Sequence, residues 1–539
     1  MKNKKGITLI ALVITIIVLL ILAGISIIMI SSQDGILNRT SSTKEKWEIA
    51  KKEEQEKLYN IEKQVDISTS DLLDADANPE LKDFITVWRV NDGESITLPL
   101  VEKSNNAIAD MTGIDDAECK ELKYDFEVDY GDGNVYQIKS YNDSNITHTY
   151  EKGGDYEVKI KGTCEGFSFY GKYGNTKDNE ELRNKLIGLK QWGVVGMVEV
   201  SFDRCKKLMG TIPTPCIDSF SKIESMPATF RYCELLTGEI PKDFFLNMPN
   251  VTYLYSIFSG RRGLTGNIPT IKNLPKLRVA QSIFFNCENL TGEIPKDFLQ
   301  GCTNIIQVHG LFYGNKNITG KIPENIFNNC PKLKQASSVF TSDEKLTGEI
   351  PENLFRDCKE LKDIRSVLGL CTGLTGKIPE NLFSNCTNLK DVSGIFEGCE
   401  NLTGEIPENL FKNCTKIENF NYVFNCCKNL TGEIPENLFA NCPEATNFGS
   451  AFAGCIKLTK IPQNLFANNK KATTFKATFS NLDQDNQTLG EGITETTIMS
   501  FEGNALELWG KDITDENGKD CYRGCSKLDN YDNIPEEWK

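Results

Sequence analysis

The amino-acid sequence predicts an α/β-type solenoid, preceded by an N-terminal transmembrane and stalk helix and an all-β sandwich. Three observations carry this prediction: a long uncharged run near the N-terminus, a segment of short alternating strands, and a motif that recurs at a fixed period. We divide the 539 residues into a leader with a membrane helix, a stalk and linker, a sandwich, a connecting segment with an N-terminal cap, ten repeats, and a degenerate repeat with a C-terminal cap, at residues 1–30, 31–83, 84–163, 164–207, 208–485 and 486–539.

Composition and charge exclude several classes of function. The formal charge of −15 argues against a nucleic-acid partner, because phosphate recognition requires a basic surface. His148 and His309 are the only histidines, which leaves little for acid–base catalysis or for histidine-rich metal sites. No Cys-x-x-Cys pair stands at zinc-ligand spacing. We therefore predict no catalytic residue, no cofactor and no metal, in a protein that is not an enzyme.

The N-terminal run is long enough to cross a membrane. Ile7–Ile30 contains no charged side chain, and as a helix it would span roughly 36 Å, against a bilayer core of ~30 Å. Lys2, Lys4 and Lys5 flank one side, so the positive-inside rule places Met1 in the cytoplasm. We predict a single-pass protein of the cell membrane whose C-terminal ectodomain is extracellular.

The junction before this run resembles a prepilin-type signal, in which a short basic leader ends in glycine ahead of the apolar helix. The matching stretch is KGITLI at residues 5–10. The resemblance implies a prepilin peptidase that cleaves between Gly6 and Ile7 and methylates the new amine. Pilin subunits usually carry Glu at the fifth mature position, where this chain has Ala11. An uncleaved signal anchor is therefore the alternative.

Two polar segments follow the membrane run. Ser42–Gln64 is charged, free of Gly and Pro, and rich in helix formers, which predicts a solvated stalk helix. Val65–Asp83 is typical of a polar linker.

Phe84–Gly162 alternates short strand-like runs with turn residues, which predicts an all-β sandwich of about 80 residues. Asp129–Gly133 reads DYGDG and predicts a tight hairpin, because Asp-Gly supplies the positive φ that such a turn needs. Together with the sequence HTY at His148–Tyr150, this turn resembles a polycystic-kidney-disease (PKD)-type domain.

The polar residues of this segment have structural interpretations. Asp129 and Asp132 are expected to cap their own turn by accepting backbone N–H bonds, with a calcium site as the alternative. His148 is expected to be a packed strand residue, since no second histidine or thiol lies nearby in the sequence.

A hexapeptide of the pattern L-T-G-x-I-P recurs ten times. Its copies are 28 residues apart, except for one interval of 26, and such a period is the signature of a solenoid. Cysteine and phenylalanine recur at the same period, so their side chains must stack on their equivalents in neighbouring coils. The hexapeptides begin at Leu208, Leu236, Leu264, Leu290, Ile318, Leu346, Leu374, Leu402, Leu430 and Leu458. The columns are Cys302, Cys330, Cys358, Cys386, Cys414 and Cys442; Cys371, Cys399, Cys427 and Cys455; and Phe284, Phe312, Phe340, Phe396, Phe424 and Phe452, with Leu368 in the missing position.

The C-x-x-L-x-G-x-I-P and Phe-x-x-Cys elements of each unit resemble bacterial surface leucine-rich repeats of the BspA-like type. The stretch NLKDVSGIF at residues 388–396 shows this most clearly, and the resemblance covers about Glu199–Phe479. LTGEIP also resembles plant extracellular leucine-rich repeats, but the cysteine columns fit the bacterial type better. Within one unit, Glu408–Phe411 predicts a short helical turn.

Nineteen cysteines outside a membrane would ordinarily suggest a disulfide framework. Their 28-residue columns argue instead for a core position that requires a small apolar side chain. We expect mostly free, buried thiols, with oxidation between neighbouring coils as the alternative.

These features predict a non-enzymatic adhesin or binding module that presents a polar, largely acidic face to a protein or glycan partner, with the PKD-like domain as a spacer. A type IV pilin-like or secretion pseudopilin structural subunit is the alternative. The residues expected to contact the partner are Lys334, Gln335, Lys362, Asp363, Glu418 and Asn419, with Thr446 and Asn447 at the same positions of a later unit.

Overall fold

The computed structural model describes residues 75, 78–104, 119–170, 179–482, 497–508 and 513–539. The membrane helix predicted at Ile7–Ile30, the processing residues Gly6 and Ile7, and the stalk helix at Ser42–Gln64 lie outside these residues. Within the described part of the chain, no helix is long and apolar enough to cross a membrane.

A β domain comes first. Its strands are β1 (Phe84–Val90), β2 (Ser95–Thr97), β3 (Tyr124–Asp129), β4 (Val135–Ile138), β5 (Thr147–Thr149), β6 (Gly154–Cys164) and β8 (Leu186–Gln191). They form a five-stranded antiparallel sheet of order β4-β3-β6-β1-β8 and a two-stranded sheet of β2 and β5, beside short 3₁₀ turns at Pro79–Leu81 and Ser144–Ile146. The sheet extends past the predicted boundary at residue 163, because the chain returns through helix α1 (Glu180–Lys185) and pairs β8 with the otherwise open edge of β1.

The DYGDG hairpin adopts the predicted turn. Asp129 Oδ1 accepts a hydrogen bond from the Gly131 amide at 2.8 Å, and Asp132 Oδ1 accepts one from the Asn134 amide at 3.1 Å. Gly131 has a φ of +81°, and a Cβ at this position would lie 2.7 Å from the Glu157 carbonyl oxygen. The two aspartates therefore cap the turn, as predicted.

The repeats form a solenoid in which each coil is one repeat, and two parallel ladders join neighbouring coils. The first ladder runs through β7 (Gly166–Ser168), β9 (Glu199–Ser201), β11 (Ser225–Pro227), β14 (Tyr253–Tyr255) and β16 (Val279–Gln281), and then through single-residue bridges that link residues 279, 307, 335, 363, 391, 419, 447 and 474. The second ladder follows the L-T-G motif and includes β10 (Met209–Gly210), β12 (Leu235–Leu236), β13 (Gly238–Glu239), β15 (Leu264–Thr265), β17 (Gly348–Glu349) and β18 (Leu374–Thr375).

The described repeats, residues 208–482, contain no α-helix, so the prediction of an α/β-type solenoid was wrong and the array is a β-solenoid. At the predicted helical turn, the Leu410 amide donates to the Pro407 carbonyl at 3.2 Å and the Cys414 amide donates to the Phe411 carbonyl at 3.0 Å. These are i→i−3 turns. The segment between the proline and the next core cysteine is too short to repay the cost of nucleating an α-helix.

The predicted columns form the core. The cysteines and phenylalanines of all three columns are buried, and consecutive rings stack nearly parallel, with the Phe396 and Phe424 centroids 5.6 Å apart at 9°. Every cysteine is a free thiol, as expected, and only Cys119 is exposed. Thiols of the second column also bond between coils, since Cys371 Sγ lies 2.9 Å from the Phe340 carbonyl oxygen.

Asn315 and Asp343 are adjacent polar residues in the second thiol column. Asn315 Nδ2 donates to the carbonyls of Phe284 and Phe312 at 2.8 and 2.5 Å, so its amide replaces the missing thiol donor. Asp343 Oδ1 accepts a hydrogen bond from the backbone amide of Asn315 at 2.8 Å, while Asp343 Oδ2 has no hydrogen-bond partner among the described residues. Burial raises the pKa of the Asp343 carboxyl well above its usual range.

The β domain packs directly onto the first coil and is not a separate spacer. Strand β7 pairs in parallel with β9, so the chain enters the solenoid sheet from the β domain. Trp192 is buried, with its ring 4.9 Å from that of Phe220, and its Nε1 donates to the Pro213 carbonyl at 2.8 Å. The buried residues of both parts form one continuous core.

The C-terminal coil is closed by the end of the chain. It contains the short helix α2 (Asp515–Gly518) and 3₁₀ turns at Tyr531–Asn533 and Glu536–Trp538. The Tyr522 amide donates to the Trp538 carbonyl at 2.8 Å, and the Trp538 side chain is fully buried. These contacts occupy backbone donors that a further coil would otherwise bond.

Phe424→Ala should destabilise the solenoid by ~3–5 kcal/mol, because the ring fills the space between the Phe396 and Phe452 rings, each 5.6 Å away. Urea unfolding followed by circular dichroism measures the effect. Lys412→Ala in the same coil removes an exposed side chain and is the control. An unchanged urea midpoint for Phe424→Ala would show that the column does not support the core.

Asp343→Asn should stabilise the protein increasingly as the pH rises above about 4. Below the unfolded pKa of about 3.9, the carboxyl is protonated in both states and contributes no pH dependence. Above that value, the unfolded chain releases the proton while the buried group keeps it, so the native protein loses about 1.4 kcal/mol for each pH unit up to the raised folded pKa. Stability curves at pH 4 and pH 8, with exposed Asp529→Asn as the control, test this prediction. Equal pH dependence of native protein and Asp343→Asn would contradict it.

Candidate binding surface

The first ladder presents a continuous surface that we call the ladder face. Each coil contributes four residues, of which the third points into the core, as Ala336, Ile364 and Val392 do. The others lie on the outer side of the ladder, where Val279, Gln307 and Ser337 are nevertheless buried. The ladder face comprises residues 278–281, 306–309, 334–337, 362–365, 390–393, 418–421, 446–449 and 473–476.

The structure brings all the predicted contact residues together on this face. Lys334, Gln335, Lys362, Asp363, Glu418 and Asn419 occupy the first two positions of their coils. Lys390 and Asp391 fill the same positions in the intervening coil and belong to the surface equally. The 28-residue period alone predicts the position of Lys390 and Asp391, which lie 28 residues after Lys362 and Asp363. Contact with a partner remains a prediction for all of these residues.

Charges of both signs alternate on the ladder face, which therefore is not the largely acidic surface that the net charge suggested. Lys390 Nζ pairs with Glu418 Oε1 at 2.7 Å across two coils. Arg365 Nη2 pairs with Asp363 Oδ2 at 2.8 Å, and its Nε lies 3.8 Å from Asp391 Oδ2. The bond to Asp363 raises the pKa of the Arg365 guanidinium. The second ladder also carries both signs, with exposed glutamates at Glu239, Glu293, Glu349, Glu405 and Glu433 and lysines at the equivalent positions Lys321, Lys377 and Lys460.

The character of the ladder face changes along the solenoid. His309 Nδ1 lies 2.7 Å from Ser337 Oγ. Burial lowers the pKa of His309, so the segment 306–309 of the ladder face carries no charge at pH 7. Towards the C-terminus, asparagine replaces the charged residues, and Asn419 Nδ2 donates to Asp391 Oδ2 at 3.3 Å. The most strongly charged part thus lies in the middle coils.

Outside the ladder face, the thiols and His148 are mainly held in structural roles. Burial raises the pKa of Cys302 to about 11 and that of Cys399 to about 12, so these thiols stay protonated at neutral pH. His148 is buried, stacks on Tyr130 with a centroid distance of 4.4 Å, and bonds through Nε2 to Asp132 Oδ2 at 2.7 Å. The described ranges contain no group of three or more His, Cys, Asp or Glu side chains that could hold a metal ion.

Sequence reasoning missed a cluster of arginine and tyrosine side chains in the first coils. The guanidinium carbon of Arg231 lies 5.4 Å from the ring centroid of Tyr170 and 5.6 Å from that of Tyr232. That of Arg261 lies 6.0 Å from the Tyr232 ring. The uneven distribution of arginine was an available signal, since six of the eleven arginines lie between residues 183 and 278.

Comparison with known proteins identifies the type of repeat. Residues 293–473 match the BspA type leucine rich repeat region in six copies. The repeats at these residues are therefore similar to BspA-type leucine-rich repeats. Residues 198–325 match a second family, described as Mycoplasma protein of unknown function, DUF285. Both matches lie within the solenoid, and the PKD-type resemblance of the β domain remains a prediction.

No curated protein matches the chain. Among solved structures, the chain is similar to the leucine-rich-repeat ectodomain of the Arabidopsis receptor kinase HAESA, in complex with an N-terminally extended IDA peptide hormone ligand. The two are 18% identical with a TM-score of 0.26, over 61% of this chain and 60% of the receptor chain.

Proposed function

We propose that this chain is a membrane-anchored bacterial cell-surface protein that uses its BspA-like solenoid as a binding or adhesion module. The ladder face carries the proposal. Eight successive coils present outward polar side chains on it, with Lys362, Lys390 and Glu418 exposed in the middle coils. The equivalent outward residues of successive coils together form a wide surface. These residues can be substituted without disturbing the core.

A protein or glycan fits the mixed charge of this surface. Alternating lysine, arginine and carboxylate groups provide donors and acceptors for complementary polar groups, and fix orientation more than they add affinity. The charge pattern does not favour nucleic acid, since the chain as a whole carries −15.

The anchor in this proposal is the uncharged run Ile7–Ile30, with the basic residues on its N-terminal side kept in the cytoplasm. Processing between Gly6 and Ile7 by a prepilin peptidase belongs to the same proposal. The pilin-like alternative rests on residues 5–10, and Ala11 at the fifth mature position weakens it.

Protease added to intact cells should remove the β domain and the solenoid, because this orientation places both outside the membrane. Immunoblotting with antibodies against the solenoid measures the loss, and a cytoplasmic enzyme in the same cells serves as the control. Full protection of the solenoid in intact cells, with digestion only after lysis, would refute the orientation.

Lys334→Glu, Lys362→Glu and Lys390→Glu in one chain should weaken binding by at least about tenfold, because three neighbouring contacts of the ladder face reverse their charge. The fragment Leu73–Lys539, which forms one compact unit, is first screened on a glycan array and on extracellular-matrix proteins. The affinity of each variant for the ligand that binds the native fragment most strongly is then measured. Lys321→Glu, Lys377→Glu and Lys460→Glu together make the same charge change on the second ladder and should leave binding intact.

Equal binding by the ladder-face variant and the native chain would place the site elsewhere. If the native chain binds nothing on either panel and deletion of the gene abolishes surface filaments, the structural-subunit function replaces this proposal.

A further inference from the structure

A second surface lies beside the ladder face, in the turn that follows the phenylalanine column. In the first three coils this turn comprises residues 203–206, 231–234 and 259–262. We call Tyr170, Asp203, Arg231, Tyr232 and Arg261 the arginine–tyrosine cluster. In the three coils that follow, the same turn contains no arginine, and its last position alternates between glutamate and lysine, at Glu288, Lys316 and Glu344. The cluster is therefore a local departure from the repeat.

One guanidinium of the cluster is paired with a carboxylate of the protein. Arg231 forms a bidentate pair with Asp203, with Nε 2.8 Å from Oδ1 and Nη2 3.0 Å from Oδ2. The rings of Tyr170 and Tyr232 lie within 6 Å of the same guanidinium. Arg231 thus fixes the cluster and has its charge balanced there.

The second guanidinium lacks such a partner. Arg261 is 4% exposed and stands in the second thiol column, between Cys233 and Cys287. Its Nε donates to the Ser259 carbonyl at 3.3 Å, and none of the described carboxylates forms an ion pair with it. A guanidinium has five N–H donors, and a buried cation is normally paired, because its desolvation is costly.

An exposed ring lies next to this buried cation. Tyr232 is 49% exposed, has a φ of +57°, and places its ring centroid 6.0 Å from the Arg261 guanidinium carbon. We propose that the arginine–tyrosine cluster binds a carboxylate-bearing sugar of the uronic-acid class, with the carboxylate on Arg261 and the sugar ring against Tyr232. This inference rests on the proposed binding function and names a ligand class and a site for it.

A sugar fits the cluster better than an acidic peptide. An extended peptide is recognised largely through backbone hydrogen bonds, and backbone donors of this turn are already used between coils. The Arg204 amide donates to the Arg231 carbonyl at 2.8 Å, and the Gly260 amide donates to the Phe285 carbonyl at 2.7 Å. A single acidic sugar needs only the side chains that the cluster offers.

The test measures binding of trigalacturonate to the full-length chain by isothermal titration calorimetry. Maltotriose is the neutral sugar probe, and hexaglutamate is the acidic peptide probe. The variants are Arg261→Gln, the charge-conserving Arg261→Lys, and Tyr232→Ala, whose side chain is exposed. The control Arg356→Gln removes an exposed arginine of a distant coil, where Nε lies 3.7 Å from Asp357. Thermal unfolding of each variant shows whether it folds.

We expect trigalacturonate to bind and maltotriose not to bind. Arg261→Gln should lower the affinity on the order of 10- to 100-fold, the loss expected for a charged hydrogen bond, with partial recovery in Arg261→Lys. Tyr232→Ala should weaken binding about fivefold, consistent with the loss of one ring contact. Arg356→Gln should bind as the native chain does.

Absence of trigalacturonate binding would overturn the inference, as would equal binding by native chain, Arg261→Gln and Tyr232→Ala. Binding of hexaglutamate through Arg261 as tightly as trigalacturonate would assign the site to an acidic peptide instead. The triple lysine variant of the ladder face should still bind trigalacturonate. If trigalacturonate does not bind while the ladder-face partner does, only this inference fails, and the proposed function stands.

Discussion

Stacking between coils is the constraint on which the rest of the structure depends. A coil of 28 residues cannot enclose its own apolar side chains, so each buried residue must meet its equivalent in the next coil. Phenylalanine satisfies this at ring separations of 5.5 to 5.9 Å, from Phe202 to Phe340 and again from Phe396 to Phe479. The 28-residue period of the sequence therefore arises because the same core positions recur once in each coil.

Cysteine meets a second requirement of the same geometry. Its side chain is small enough for a position close to the neighbouring backbone, and its thiol points at the carbonyl of a column residue in the preceding coil, as Cys427 Sγ does at 3.1 Å from Phe396. A valine would fill the space but leave that carbonyl without this contact. The ends of the array solve the remaining problem, since the β domain and Trp538 cover the coils that lack a neighbour.

The sequence was sufficient to predict the columns and the row of residues that became the ladder face, because both follow from the period. It was insufficient where the period is broken. The interval of 26 residues before Leu290 hid the continuation of the phenylalanine column to Phe258, which the structure shows stacked on Phe284. Asn315 and Asp343 hid the continuation of the second thiol column to Cys287, which is buried in register with the later coils. The helical turn was also overestimated, since Glu408–Phe411 has helical composition but lies in a coil with room only for i→i−3 turns. The charge of the ladder face depends on which residues lie on that face. The net charge of the chain does not indicate how charged residues are distributed between faces.

Each core side chain packs against its equivalent in the neighbouring coil, so a residue that differs from the rest of its column requires an explanation. Asn315 and Asp343 depart together, and they compensate each other through a 2.8 Å bond while Asn315 supplies the missing donor to two carbonyls. Both residues thus bond within the core, although Asp343 Oδ2 has no hydrogen-bond partner among the described residues. Arg261 departs alone, and the carbonyl of Ser259 and one tyrosine ring satisfy only part of its capacity. Arg261 has no ion pair among the described carboxylates, and our proposal is that an anionic group from outside the protein supplies it.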